Sequence, residues 1–352
     1  MKVITCASYY GCGSSAVTDL MSECDCVKSL GDYEFRFLHD IDGISDLEHY
    51  LIECPNRHNS GHALKRFSRL AKFNSGKWFN KRYEHFFNGQ YLHITKEYIN
   101  KLITYRYKGF WFYDMYDKGV LNYYFISLIL KISKYFSALN LNPLRNEYTY
   151  GTVIDEHKFI EYTQEYLHKL FAVANSSNVP FLMIDQLMPS SNIGRCLRYV
   201  SDEIRIFIVD RDPRDLYIMS HYVWKNEHVI PDSNVEDFCK WYRFVHECAK
   251  NEIMDEKKVL KIQFEDMIYN YDTTKERIFN FVGLNSSNHN FPFTKFNPLK
   301  SAINTQSWKK FPESKNEILT IEKLLPEYLY DFSAVSDIQI KGVSVEQNNH
   351  MF

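Results

Sequence analysis

The residues near the start of the chain that are best suited to chemistry are small. Gly11-Cys12-Gly13-Ser14-Ser15 follows an apolar run and precedes Ala16-Val17-Thr18-Asp19-Leu20-Met21, in which Val17, Leu20 and Met21 have helical spacing. A strand that delivers a Gly/Ser turn into a helix N-terminus gathers unpaired backbone N–H groups at the positive end of the helix dipole, and such a loop binds anions. Gly11 and Gly13 permit close backbone approach, while the Ser14 and Ser15 hydroxyls add donors. No Gly-Lys-Ser/Thr follows, so the signal is incomplete for an ATPase or GTPase, and an ordinary strand-to-helix turn reads the same way. A second group, Asp210-Arg211-Asp212-Pro213-Arg214-Asp215, ends the apolar run Ile204 to Val209. Asp212 as N-cap, Pro213 at the first helical position and Asp215 in the first turn make a helix start by themselves. That start does not use Arg211. A guanidinium at the carboxyl end of a strand lies where open α/β sheets bind ligands, and its forked donors suit a nucleotide phosphate. Cys24-x-Cys26 lacks partners at ligand spacing, and His58 and His62 share a helix face without a carboxylate motif, so no metal site is expected.

The elements that must position these groups alternate along the chain. Lys2 to Ala7 reads as a strand, and Val179 to Ile184, Ile204 to Val209 and Val259 to Phe264 are short, nearly continuous apolar runs of the kind buried on both faces of a parallel sheet. Helical segments lie between them and supply the crossovers a parallel sheet needs. Asp155 can cap one, with Phe159, Ile160, Tyr166, Leu167, Leu170 and Phe171 on its stripe; Asn234 can cap another, with Val235, Phe238, Trp241, Tyr242 and Val245. Thr273 and Glu276 have capping-box spacing, and Gly283 can close the helix that follows. The predicted class is α/β, a central parallel sheet flanked by helices. Residues 60–150 carry little strand signal and are predicted to form a helical insertion within a single domain spanning 1–352, with only the polar Val345 to Phe352 tail fraying.

Composition bounds the partners. With 352 residues, 45% hydrophobic and 24% charged, the chain can bury a large core. Forty-two basic against forty-four acidic residues leave a formal charge of -2, which removes the broad electrostatic case for a nucleic-acid partner or a polybasic membrane protein, so anion binding has to be local. Eight cysteines thinly spread through a long chain fit a reduced, cytosolic compartment better than a disulfide scaffold. The apolar stretch Val120 to Leu130 contains Asn122 and is too short to span a bilayer, so no transmembrane segment is expected; an eleven-residue run of this kind reads as core. Aromatic residues make up 16%, with 26 Tyr and 26 Phe, and they crowd into residues 79–150. They can fill a core or line a groove for a sugar-like acceptor.

Taken together, four segments resemble the sulfotransferase family that uses 3′-phosphoadenosine 5′-phosphosulfate (PAPS). Tyr9 to Ala16 looks like its 5′-phosphosulfate loop, and Ile206 to Ser220 like its 3′-phosphate motif. Val259 to Asp266, continuing through Arg277 to Leu284, resembles its late strand and following helix, and Lys300-Ser301 with Trp308-Lys309-Lys310 resembles its C-terminal cofactor loop. The resemblance implies a P-loop NTPase-like α/β fold in which Gly11, Cys12, Gly13, Ser14, Ser15 and Ala16 hold the 5′-phosphosulfate. Arg211 with Ser220 would hold the 3′-phosphate, and the loop of Ser301 and Trp308 would close over the cofactor. It also implies that Tyr33 to Phe37 is the second-strand segment where glycan-modifying members carry a catalytic glutamate, here Glu34.

Three departures accompany it. Gly11 stands where the family usually has Lys or Arg; Arg36, two residues beyond Glu34 and hence on the same face of a strand, is the first candidate replacement, with Lys65, Arg66 and Arg69 behind it. Ser220 falls one place late relative to Arg211, with Met219 at the expected position, and the C-terminal loop lacks the family's glycine-rich stretch. The expected activity is transfer of a sulfonate from PAPS to a hydroxyl of a glycan or other acceptor, with adenosine 3′,5′-bisphosphate as product and no metal. The protein is expected in the cytoplasm, or peripheral to the inner membrane. A catalytically degenerate nucleotide- or glycan-binding protein and a P-loop kinase-like phosphotransferase are the competing readings.

Overall fold

In a computed structural model, residues 1–76, 82–135, 144, 146–224, 229–250, 252 and 254–335 are described; the predicted fraying tail lies outside them. The chain forms two compact units: residues 1–35, 177–197 and 202–352 make one, and residues 36–176 with 198–201 the other.

The first unit is built on five parallel strands, β1 (Lys2–Cys6), β2 (Val27–Glu34), β5 (Phe181–Asp185), β6 (Glu203–Asp210) and β7 (Val259–Gln263), in the order β2-β5-β1-β6-β7. The apolar runs become strands because both faces are covered: on one face Ile4, Cys6, Phe207, Val209 and Ile262 share a core cluster with Val17, Leu20 and Met21 of helix α1 (Ser14–Ser22) and with Ile278, Phe279 and Val282 of the Tyr271–Val282 helix, and on the other Val3, Thr5, Ile206 and Ile208 are buried as well. β1 is central, so the loop leaving it at Cys6 emerges between the ends of β5 and β6. All five strands end on one edge, which sets the loops after Cys6, Glu34, Asp185, Asp210 and Gln263 on the same side.

Caps behave as their chemistry requires at three helix starts. Asp155 accepts from the Lys158 N–H, Asn234 from the Asp237 N–H, and Asp212 from the Arg214 N–H with Pro213 in the first turn. Thr273 does not cap. The chain is already helical at Asp266–Tyr269, Asn270 starts the next helix, and Thr273 falls inside it; Gly283 closes that helix at φ 90°.

The second unit is mainly helical. Its core joins the Asn59–Ser75, Tyr91–Leu102 and Glu156–Ala174 helices through aromatic rings: Tyr98 and Tyr166 stack with centroids 4.6 Å apart, and Phe67 lies edge-on to Tyr98 at 6.0 Å. Their hydroxyls are satisfied inside the core, Tyr98 with Thr163 at 2.8 Å and Tyr166 with Thr95 at 2.9 Å. The unit also carries a two-stranded antiparallel ribbon, β3 (Tyr105–Lys108) with β4 (Tyr148–Gly151). The aromatic crowd thus divides. Tyr83, Phe87, Tyr91 and Tyr98 are buried, whereas Tyr107, Tyr113, Tyr116, Tyr124 and Phe125 are exposed.

The Val120–Tyr135 helix departs most from expectation. Its apolar run reads as core, yet only Ile126 is buried.

Candidate active site

The Gly/Ser loop turns because two of its residues are glycine. Gly11 has φ 69° and Gly13 has φ 87°, both left-handed, and Gly13 is the residue from which α1 starts. Neither position has room for a side chain: a Cβ on Gly11 would stand 2.6 Å from Leu216 Cδ1, and one on Gly13 2.6 Å from Phe264 Cδ2. A lysine or arginine at position 11 would be strained by the left-handed backbone and would have to displace the Leu216 methyl beside the Trp224 ring at 3.3 Å, which disfavours a cation there. The Ala16 N–H is used by the Gly13 carbonyl at 3.1 Å. Ser14 and Ser15 stand at the start of α1, where amides have no intrahelical acceptor, and Ser15 is exposed. Cys12 is buried with its thiol on the Tyr10 carbonyl at 3.7 Å, and burial pushes its pKa well up.

Arg211 reaches this loop from the end of β6. Its Nη1 donates to the Gly11 carbonyl at 3.1 Å, its Nη2 to the Asn304 carbonyl, and its guanidinium lies over the Phe264 ring at 5.0 Å. One side chain thereby joins the first loop to the C-terminal loop. Its Nε is buried without a partner among the described residues. Two carboxyls sit near the cation. Burial, and then the charge of Asp215, push Glu265 up to about 8; burial pushes Asp215 up to about 7, against the pull of Arg211. Both acids have structural work: Glu265 accepts from the Asp212 N–H at 3.0 Å, and Asp215 accepts from the Gln306 and Ser307 N–H groups at 2.9 and 2.6 Å. The C-terminal loop is thus tied to the helix start of the Arg211 segment.

Other residues singled out in the sequence divide by location. Ser220 is buried and its hydroxyl donates to Asp232 at 2.6 Å. Trp308 carries the Arg214 guanidinium over its ring at 4.2 Å, with Phe332 edge-on to it. Ser301 ends the short Pro298–Ser301 helix, its N–H on the Asn297 carbonyl at 2.9 Å. Glu34 is the last residue of β2 and pairs in register with Asp185, the last residue of β5. The shared-face argument for Arg36 fails because β2 stops at Glu34: the Arg36 carbonyl already accepts from the His39 and Asp40 N–H groups in a turn, and its side chain pairs with Asp40 at 3.0 Å. Arg36 belongs to the second unit, as do Lys65, Arg66 and Arg69, which are held by Asp114, Asp42 and Asp117. Among the described residues, no group of three or more His, Cys, Asp or Glu side chains could hold a metal ion.

Asp185 escaped the sequence reading. It closes the apolar run Phe181 to Ile184 as a single acid, which looks like a strand end. In the fold it is buried, and Ser14 Oγ donates to its Oδ2 at 3.3 Å. Burial, and then the charge of Glu34, push Asp185 up to about 7. The edge thus combines a carboxyl pair, the serine-bearing helix start and a buried arginine. Such a set can hold an anion at the helix start and accept a proton beside it.

The chain matches no family model and no curated protein. Among solved structures it is similar to the sulfotransferase STF1 from Mycobacterium tuberculosis H37Rv, at 10% identity and a TM-score of 0.34, over 87% of this chain and 77% of that one. A likeness this slight carries no weight for function, which rests on the residues themselves.

Proposed function

We propose that the protein is a sulfotransferase that moves a sulfonate from PAPS to a hydroxyl of an acceptor, most simply a carbohydrate. The observation that carries this reading is the Arg211–Gly11 bond. It brings two motifs 200 residues apart to the carboxyl edge of one parallel sheet, beside the carboxyl pair Glu34 and Asp185.

The donor would supply an activated sulfonate joined through oxygen to a phosphate, which departs as adenosine 3′,5′-bisphosphate while the acceptor oxygen bonds to sulfur. The Ser14 and Ser15 amides and hydroxyls would hold the phosphosulfate end at the start of α1. Arg211 suits the 3′-phosphate because its Nε has no partner and its Nη donors are spent on carbonyls that a phosphate oxygen can replace. Ser301 and Trp308 lie on the loop fastened to Asp215, which would cover the donor. Glu34 would take the acceptor proton. Burial, and then the charge of Glu34, push Asp185 up to about 7, so below neutral pH its carboxyl is mostly protonated beside the base. The exposed Tyr105, Tyr107 and Tyr148 of the β3–β4 ribbon would offer stacking surfaces to a sugar, and residues 60–150 would serve as an acceptor-side subdomain of a cytoplasmic enzyme.

A second reading has its own support. Gly11 carries no cation and its backbone disfavours one, and Arg211 is engaged by carbonyls, as suits a protein that binds a nucleotide without turnover. Calorimetric titration with adenosine 3′,5′-bisphosphate and with ATP separates nucleotide classes. Preference for the bisphosphate, lost in Arg211→Ala still folded at the assay temperature, is the expected result; preference for ATP would remove the sulfotransferase reading. Transfer of radiolabelled sulfate to a glycan library then decides on turnover, with Glu34→Gln expected to reduce it at least about a hundredfold. Bisphosphate binding without transfer to any acceptor would favour the binding protein.

A further inference from the structure

The Val120–Tyr135 helix has two apolar faces. Placed at 100° per residue, Ile126, Tyr123 and Leu130 share one side, and they pack with Met115 and Leu144 in a small cluster. On the opposite side Leu121, Tyr124, Phe125, Leu128, Ile132 and Tyr135 fall within an arc of about 100°, the width of a stripe that ordinarily faces a core. Here all six are exposed, Leu121 by 87% and Tyr135 by 86%. The neighbouring Phe112–Tyr116 helix adds exposed Phe112, Tyr113 and Tyr116, with the Phe112 ring edge-on to Tyr123 at 6.4 Å. Contiguous exposed apolar surface of this kind marks an interaction site.

Charge identifies what covers it. The helix carries Lys131 and Lys134 and no acid, and the sequence has no Asp or Glu between Asp117 and Glu147, although the whole chain has a formal charge of -2. Both lysines are exposed and have no carboxylate partner among the described residues; Lys131 lies about 20° outside the outer stripe, whereas Lys134 lies about 80° outside it, beside Tyr123. Such lysines extend their stems over apolar surface and place their ammonium groups among anionic headgroups. Tyr124 and Tyr135 are amphipathic in the same sense, and tyrosine favours the boundary between water and lipid. A second copy of the chain suits the stripe less well, because a twofold pairing offers each lysine no carboxylate on the facing helix. Sixteen residues rise about 24 Å, short of a bilayer's apolar thickness, and no described helix is long and apolar enough to cross a membrane. We infer that the outer face of this helix docks the protein on an anionic lipid bilayer, lying in the interface plane with the apolar stripe among the acyl chains and Lys131 at the headgroups.

Flotation of the full chain with phosphatidylcholine vesicles, with and without phosphatidylglycerol, tests the inference. Binding should require the anionic lipid, weaken with added salt, and fall at least about a hundredfold in the Leu121→Ser, Phe125→Ser, Leu128→Ser triple variant. Lys131→Glu with Lys134→Glu should cost at least about tenfold. Because all five side chains are exposed, circular dichroism melts should match the parent. A Tyr124→Trp variant should shift its emission to the blue on anionic vesicles and nowhere else. Absence of vesicle binding, or binding that survives the triple variant, overturns the inference. So does a dimer in sedimentation equilibrium that the triple variant abolishes, which would assign the face to a second copy.

Discussion

Gly11 holds a left-handed φ against Leu216 and Trp224, so a single methyl group there must strain the backbone and displace packed side chains. Gly11→Ala should cost about 2–4 kcal/mol, read from the urea midpoint, and should weaken nucleotide binding through the loop it distorts. Arg211 is the loop's other constraint. Removing it leaves the Gly11 and Asn304 carbonyls and two buried carboxyls without their cation, so Arg211→Ala should cost about 3–5 kcal/mol in the same measurement. Arg211→Lys should recover only part of this, because one ammonium cannot reproduce a planar fork spanning two carbonyls. The sequence made both residues conspicuous, Gly11 by its turn and Arg211 by being unnecessary to the helix beside it. It could not reveal that they touch, since nothing local in residues 11 and 211 encodes the adjacency of β1 and β6.

Among the elements, the ones fixed by local chemistry were the most legible. Asp155 and Asn234 cap the helices their sequences announce, because a short side chain beside an orphan amide needs no tertiary help. Asp155→Ala should lower stability by about 1 kcal/mol, seen as a modest drop in melting temperature with no change in far-ultraviolet dichroism at low temperature. Where neighbouring elements intervene, local signals mislead. Thr273 has the spacing of a cap, but the preceding turn carries the chain into the helix three residues early. Arg36 has strand parity with Glu34, but β2 ends at Glu34 and the chain bends toward Asp40. Apolar periodicity in Val120–Tyr135 gave no sign that one face would be left outside, because periodicity records which residues are apolar and not what they meet.

At the scale of the whole molecule, the buried acids set a pH dependence. Asp185, Asp215 and Glu265 have folded values raised to about 7, 7 and 8, above the usual carboxylate range. Their protonated forms favour the native state, so their contribution is fully present below about pH 4 and is lost as pH rises through 7 and 8. Asp114 runs the other way. Burial raises it, but its bonds to His62 and Lys65 prevail and hold it well below the usual range, so its contribution is lost on acidification. The melting temperature should therefore peak near pH 5 and fall toward pH 8, and Asp185→Asn, which mimics the neutral acid, should flatten that fall. A melting temperature that rises from pH 5 to pH 8 in the parent protein would contradict the assignment of these three acids.

Sequence alone determined what local chemistry and apolar patterning can carry: an α/β chain, four of the buried parallel strands, a Gly/Ser loop entering a helix, a helix start with a surplus arginine, and no broad basic surface. Only the tertiary structure decided the strand order that brings Gly11 beside Arg211 and Glu34 beside Asp185, and the burial that raises Asp185, Asp215 and Glu265. It alone divided the aromatic excess between a packed core and an exposed helix face. The physical reason is the same throughout. Strand adjacency, burial and desolvation are properties of residues far apart in the chain, and they acquire values only when those residues are brought together.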